Sequence, residues 1–287
     1  MHDFVRGRWY GLFDAICHAF STVAIGGFST HDASLGFFDN AAIEGVAIIF
    51  MVLAGINFTL HFGVLQQRRL TPYIHDIEVR LYIAILIVLA LGVAWILEAH
   101  PGASSNPMRD ALFQAVSIAT TTGFTTTNFS AWPSVIPFLL LFAAFAGGCA
   151  GSTAGGIKVY RLILIFRQGV REMRRLVHPN GIFHIKMGQQ LVPDRVVDAV
   201  WGFFAVYLLF FVGLLCTLLA ISDLDFVSAF SAIGACLNNL GPGLGDVAFS
   251  YQALTTASKW LLVIAMLLGR LEIFTLLVLL TPDYWRS

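Results

Sequence analysis

The residues able to do chemistry in this chain are small and mostly uncharged. The stretch Thr120 to Thr127, TTTGFTTT, lies between long hydrophobic runs and suits neither a helix nor a strand. Upstream, Ala24 to Thr30 reads AIGGFST, again a Gly-Phe pair followed by hydroxyl residues. Asn238 to Gly245 reads NNLGPGLG. These patterns offer no nucleophile–base pair, and the chain holds no His-Glu-x-x-His and no paired intramembrane aspartates. They offer backbone. Glycine permits dihedrals that turn carbonyls toward one axis, and rings of such carbonyls replace the hydration shell of a monovalent cation.

The elements that must position these strips follow from internal repetition. Residues 12–30 lie over residues 108–126 without a gap: Asp14 on Asp110, Ser21 on Ser117, Gly27 on Gly123, Phe28 on Phe124 and Thr30 on Thr126. A weaker third copy, 226–245, puts Gly241 in the place of those glycines. Each copy is a short apolar segment, then a polar strip, then a full span. A segment of a dozen residues cannot cross a hydrocarbon core of about 30 Å and reads as a re-entrant helix. Its negative C-terminal end favours a cation. Irregular backbone at membrane depth persists only where it lines a cavity. The expected filter positions are Ile25, Gly26 and Gly27, then Thr121, Thr122 and Gly123, then Asn239, Leu240 and Gly241. Ordinary extracellular Gly/Thr turns are the competing reading, which the repetition opposes. Asp14 and Asp110 are expected to cap the short helices.

Composition sets the medium. Of 287 residues 57% are hydrophobic and 12% charged, with mean hydropathy +0.79; soluble proteins carry about 25% charged residues. The fold class is all-α and integral to a membrane. Candidate spans are 41–64, 79–98, 134–166, 197–221 and 259–280. Basic residues cluster after the first and third of these, so 65–78 and 167–196 are cytoplasmic and the strips face outward. Arg6 and Arg8 then fall outside, which implies further membrane helices before Met1; no signal peptide is evident there. Zero formal net charge gives no nucleic-acid footprint. Cys17, Cys149, Cys216 and Cys236 read as small apolar packers.

The third span is interrupted by GGCAGSTAGGIK, Gly147 to Lys158. A phosphate-binding loop is excluded, because Gly156 is followed by Ile157 rather than Lys. The segment reads as a flexible break in an inner helix that can obstruct a pore and move; close packing through small residues is the alternative. Arg270 and Glu272 lie inside the last span, where an ion needs a partner or a cavity. Arg270 can donate to carbonyls freed by the break. Asn57 and His61, one turn apart, either line an inner vestibule or bond each other. REMRR, Arg171 to Arg175, reads as a cytosolic basic face.

STVAIGGFSTHD (21–32), TTTGFTTTNFSAWP (120–133), GGCAGSTAGGIKVYR (147–161), NNLGPGLG (238–245) and GRLEIFTLLVLL (269–280) together resemble the Trk/Ktr/HKT superfamily of potassium transporters, most closely its bacterial TrkH branch. The resemblance implies four span–pore helix–filter–span repeats around a pseudo-fourfold pore, each strip forming one wall of a K+ filter. It makes Gly147, Gly148, Gly151, Ser152, Gly155, Gly156 and Lys158 an intramembrane gating loop contacted by Arg270. It implies K+ uptake by a channel-like, non-enzymatic subunit, multi-pass in the bacterial cytoplasmic membrane and embedded in lipid. Expected partners are a second copy and a cytosolic nucleotide-binding regulatory subunit. Only three strips are present, so the first repeat and the outer helix of the second are expected to precede Met1. The units then run 1–66 (partial second repeat), 67–167 (third), 168–195 (cytoplasmic linker) and 196–287 (fourth). A non-conducting structural or regulatory subunit is the alternative function.

Overall fold

The computed structural model describes residues 11–188, 190–271, 273–279 and 281–285. Arg6, Arg8 and Glu272 lie outside the described residues. The chain runs α1 (Leu12–Val23), α2 (Ala41–Ala54), α3 (Phe58–Gln67), α4 (Thr71–His75), α5 (Ile77–Glu98), α6 (Pro107–Ala119), α7 (Val135–Ala146) and α8 (Val159–Val177). A two-stranded antiparallel ladder, β1 (Lys186–Met187) with β2 (Gln190–Leu191), follows α8. It is a small departure from an all-helical fold. The chain continues with α9 (Asp194–Ile221), α10 (Phe226–Leu237), α11 (Thr256–Arg270) and α12 (Ile273–Leu279).

The five expected spans are not five straight helices. Among the described residues, α5 and α9 alone are long and apolar enough to cross unaided. Residues 41–64 form the pair α2 and α3, bent by 97°, and the last span is the pair α11 and α12, bent by 104°. The third candidate is split into α7 and α8 by the loop between them. The bend after α2 has a local cause. Asn57 leaves the helix and caps α3, its Oδ1 accepting the Thr59 amide at 2.8 Å, while the Gly55 carbonyl accepts Cys149 N at 2.8 Å instead of continuing the α2 ladder.

α1, α6 and α10 have 12, 13 and 12 residues, about 18–20 Å at 1.5 Å per residue. α6 is enclosed by α5, α7 and α2, and α10 by α9 and α11. Apolar clusters hold them: Val93, Leu97, Ile118, Ile136 and Leu140 around α6, and Phe211, Leu218, Ile233 and Leu262 around α10. α1 is different, with only His18 and Thr22 buried.

One ion pair locks α6 to α2. Arg109 donates from Nε and Nη2 to the two carboxylate oxygens of Glu44 at 2.7 Å each, and Nη2 also reaches Asp39 at 3.3 Å. The Glu44 side chain is 4% exposed and that of Arg109 30%. Replacing Arg109 with methionine leaves a buried carboxylate unpaired. The expected loss is at the lower end of about 3–5 kcal/mol, because Arg109 is partly solvated. Thermal unfolding in detergent measures it, and Arg109→Met with Glu44→Gln should recover most of the loss. No recovery in the double variant would mean that the arginine acts by packing alone.

Candidate ion filter and gate

The three short helices end alike. Gly26, Thr122 and Leu240 donate their amides to the carbonyls of Ser21, Ser117 and Ala235, each at 2.8 Å. Ile25, Thr121 and Asn239 donate to Thr22, Ile118 and Cys236 at 3.1, 3.0 and 3.1 Å. This pair of bonds is the Schellman ending, which requires one left-handed residue. Ile25, Thr121 and Asn239 take it, with φ of 52°, 64° and 56°. Two residues on, φ is positive again at Gly27, Gly123 and Gly241: 68°, 84° and 100°. Ile25 and Thr121 are β-branched, and holding such residues left-handed costs roughly 1–3 kcal/mol each, strain of the kind found at functional sites.

The strips approach one another in series. A Cβ on Gly27 would lie 1.9 Å from the Thr122 carbonyl oxygen, and one on Gly123 would lie 2.0 Å from that of Leu240. A Cβ on Gly241 meets nothing within 4 Å. Gly27, Gly123 and Gly241 line one cavity of about 320 Å³ together with Ser29, Thr125 and Asp32. Between the first and third strips a cavity of about 610 Å³ is lined by Ile25, Gly26, Asn239, Gly241 and Arg270, among others. The nine expected filter residues therefore sit together on three adjacent walls, with an open flank between Gly241 and Ile25.

The break in the third span runs from Gly147 to Lys158, two residues longer than the 147–156 glycine-rich core. Its position is defined by contacts on every side. Gly155 donates its amide to Thr121 Oγ1 at 2.7 Å, and a Cβ there would strike the Asn238 carbonyl oxygen at 1.9 Å. The loop thus lies directly against the second and third strips. Thr153 Oγ1 donates to the carbonyls of Val23 and Ala54 at 3.0 and 3.3 Å. Gly147 turns at φ 63° beneath the Gly155 carbonyl, Gly148 packs on Ala154 and Gly55, Gly151 on Asn57, and Gly156 on Ala144. Ser152 Oγ donates to the Cys149 carbonyl at 2.6 Å, and Lys158 Nζ donates to the carbonyls of Ser152 and Ala154. Arg270 Nη1 donates to the Thr153 carbonyl at 3.0 Å. Arg270 does not lie inside one continuous span: it is the last residue of α11, at the bend.

Glu78 is a site residue that sequence reasoning missed. It lies in the first turn of α5, 8% exposed. One oxygen, Oε1, accepts the amides of Ala150 at 2.7 Å and Tyr160 at 2.9 Å. It therefore pins both the loop and the start of α8. The signal was a second carboxylate, after Asp76, at the head of the apolar run 79–98, but its partners lie far along the chain. Glu78→Ala should leave two amides unpaired at about 1–3 kcal/mol each and raise protease nicking within 147–158. Glu78→Gln keeps one carbonyl oxygen for both amides and should protect the loop nearly as well as the native residue. Equal nicking in both variants would show that charge, not the paired acceptor, holds the loop.

Three smaller expectations change. Asp14 and Asp110 do not cap by side chain; lying inside the first turns, they accept the hydroxyls of Thr30 at 2.7 Å and Ser104 at 2.5 Å. The short helix with an aspartate cap is α10, whose Asp225 accepts from Val227 and Ser228. The Ser228 hydroxyl, and then these amides, hold the Asp225 carboxyl below its usual range. The side chains of Asn57 and His61 do not bond each other: Asn57 Oδ1 is taken by the Thr59 amide as the cap of α3, and only the His61 amide reaches the Asn57 carbonyl, at 3.3 Å. His61 instead meets the Tyr73 hydroxyl at 2.6 Å and the Leu53 carbonyl at 2.9 Å. Arg171 is not part of an open basic face: it is 6% exposed and paired with Asp194, while Arg174 and Arg175 are exposed. Cys149 and Cys236 are buried, Cys17 half-buried and Cys216 exposed, all as free thiols.

A family model described as "TrkH: Cation transport protein" matches residues 4–286. The chain belongs to the TrkH cation transport protein family. It is 53% identical over 279 residues to the Trk system potassium uptake protein TrkH of Vibrio parahaemolyticus, covering 96% of this chain and 57% of that protein. It is 50% identical over 278 residues to TrkH of Escherichia coli, with the same shares. TrkG of Escherichia coli is 40% identical over 281 residues. The crystal structure of the potassium transporter TrkH from Vibrio parahaemolyticus superposes with a TM-score of 0.90 at 52% identity, over 96% of this chain and 59% of that one. The chain thus spans between half and two-thirds of the length of these TrkH relatives. It is a helical, multi-pass membrane protein of the TrkH fold.

Proposed function

We propose that this chain forms three walls of a potassium-selective filter and the gate beneath it, serving K+ uptake across the bacterial cytoplasmic membrane. The observation that carries this reading is the shared alternation of φ in three strips that abut in series and line one cavity. Such strips supply dehydrated carbonyls, which suit a monovalent cation. Three short helices aim their C-terminal ends at the strips, adding negative dipole there. A ring closed on all sides needs a further strip along the flank between Gly241 and Ile25; the polypeptide supplying it would occupy the cavity of about 610 Å³. A second copy of the chain and a cytosolic nucleotide-binding subunit belong to the same proposal, on the strength of the family. Rubidium uptake into liposomes, with a fourth strip supplied in the same or a second polypeptide, tests it. Uptake should favour K+ and Rb+ over Na+. Absence of uptake, together with no K+-dependent stabilisation of the purified protein, would reject the filter.

A further inference from the structure

Three consecutive carbonyls of the loop are each taken by a cationic side chain. Lys158 Nζ donates to the Ser152 carbonyl at 3.3 Å and to the Ala154 carbonyl, with Ser152 Oγ at 3.5 Å. Arg270 Nη1 takes the intervening Thr153 carbonyl at 3.0 Å. These carbonyls have no helical partners, because the chain from Gly147 to Lys158 is non-helical. At membrane depth they cannot be left unpaired. The lysine folds back over the loop from a backbone at φ 78°, which residues with a Cβ rarely adopt. Beside these groups lies a cavity of about 320 Å³, lined by Ser152, Ala154, Gly155, Lys158 and Arg270 among others. That volume exceeds the roughly 30 Å³ share of one water several-fold, so an ion with part of its hydration fits.

We infer that the carbonyls of Ser152 and Ala154 form a second monovalent-cation site, next to the strips on their loop side, which the Lys158 ammonium occupies as a tethered substitute. An ammonium group and K+ are both compact single charges satisfied by carbonyl oxygens. An ion arriving from the strips competes with Lys158 for the same ligands, and winning that competition frees the lysine from the loop. The site is close enough to couple, since Gly155, one residue past Ala154, bonds Thr121 of the second strip at 2.7 Å. The inference rests on the reading of the strips as a cation filter, and its test separates the two.

The test is anomalous diffraction from crystals grown in Tl+, comparing the native protein with Lys158→Met. The native protein should show Tl+ at the strips and only a weak, partly occupied peak at the loop, where Lys158 competes; the variant should add a full peak at the Ser152 and Ala154 carbonyls. Peaks at the strips of both proteins without the added loop peak would overturn the inference and leave the filter standing. Loss of every peak at the strips would remove the filter reading and this inference with it. A second measurement uses the native protein and so survives a variant that does not fold. Modification of Lys158 by an amine reagent, followed by peptide mass spectrometry, should rise several-fold in K+ relative to choline at equal ionic strength. Reactivity that is independent of K+ overturns the competition.

Discussion

Replacing Gly123 with serine in the assembled transporter is expected to cut discrimination between K+ and Na+ by about tenfold or more. Gly123 holds φ at 84°, and a Cβ there falls 2.0 Å from the Leu240 carbonyl oxygen and 3.0 Å from Pro242 Cδ. The left-handed backbone alone costs a residue with a Cβ roughly 1–2 kcal/mol. The contact with Leu240 adds to it and can be relieved only by moving a carbonyl of the third strip. A displaced ring ligand changes the relative stability of two ions that differ in size, and about 1.4 kcal/mol is already a factor of ten. Bi-ionic reversal potentials in bilayers measure the effect. Gly241→Ser is the internal comparison. Its φ is 100°, but its Cβ meets nothing within 4 Å of this chain. A loss of selectivity at Gly241 as large as at Gly123 indicates that another strip lies against that flank. Unchanged relative permeability in Gly123→Ser would remove the second strip from the ion path.

Arg270→Ala should raise unregulated cation flux about ten- to a hundredfold. The side chain donates to the Thr153 carbonyl at 3.0 Å from the end of α11, and Thr153 in turn holds the carbonyls of Val23 and Ala54 through its hydroxyl. Together these bonds tie the loop to the ends of α1, α2 and α11, and on the proposed reading the arginine latches it. A hydrogen bond to a charged group contributes about 1.5–3 kcal/mol, which sets the range for the shift in open population. Deleting part of 150–155 should act in the same direction and exceed it, because the obstruction itself is shortened. Arg270→Lys keeps the charge but not the planar fork, and should fall between native and alanine. Flux at the native level in both Arg270→Ala and the deletion, with protein that inserts and folds, would make the loop a packing device and place the gate elsewhere.

Much of the site can be traced along the chain. The glycines at 27, 123 and 241 stand at repeated distances from short apolar segments, so the helix–strip order is written in local propensity. The loop 147–158 announces itself by composition, because a run of glycine, alanine, serine and threonine inside a span has little helix preference. Arg270 is visible as a charge in an apolar run. Glu78 and Lys158 are harder. Each is a charged residue near a helix start, with several ordinary explanations. Their importance comes from carbonyls and amides at other points of the chain. The bends in the two spans were also hidden, since Gly55–Asn57 and Arg270–Leu271 interrupt hydrophobic periodicity too briefly to break it.

By itself the sequence determined the medium, the three short helices, the positions of the strips and the weak point in the third span. These depend on hydrophobicity, on length against bilayer thickness and on the dihedral freedom of glycine, all of which act within a dozen residues. The left-handed turns at Ile25, Thr121 and Asn239 belong to the local helix endings, despite two β-branched side chains. Tertiary structure alone decided that the strips abut in the order first, second, third with an open flank after Gly241, and that the loop closes on Thr121 and Asn238. The physical reason is common to these cases. Each depends on which buried peptide groups remain unpaired once the helices pack, and at membrane depth an unpaired group must take the nearest partner the fold brings to it.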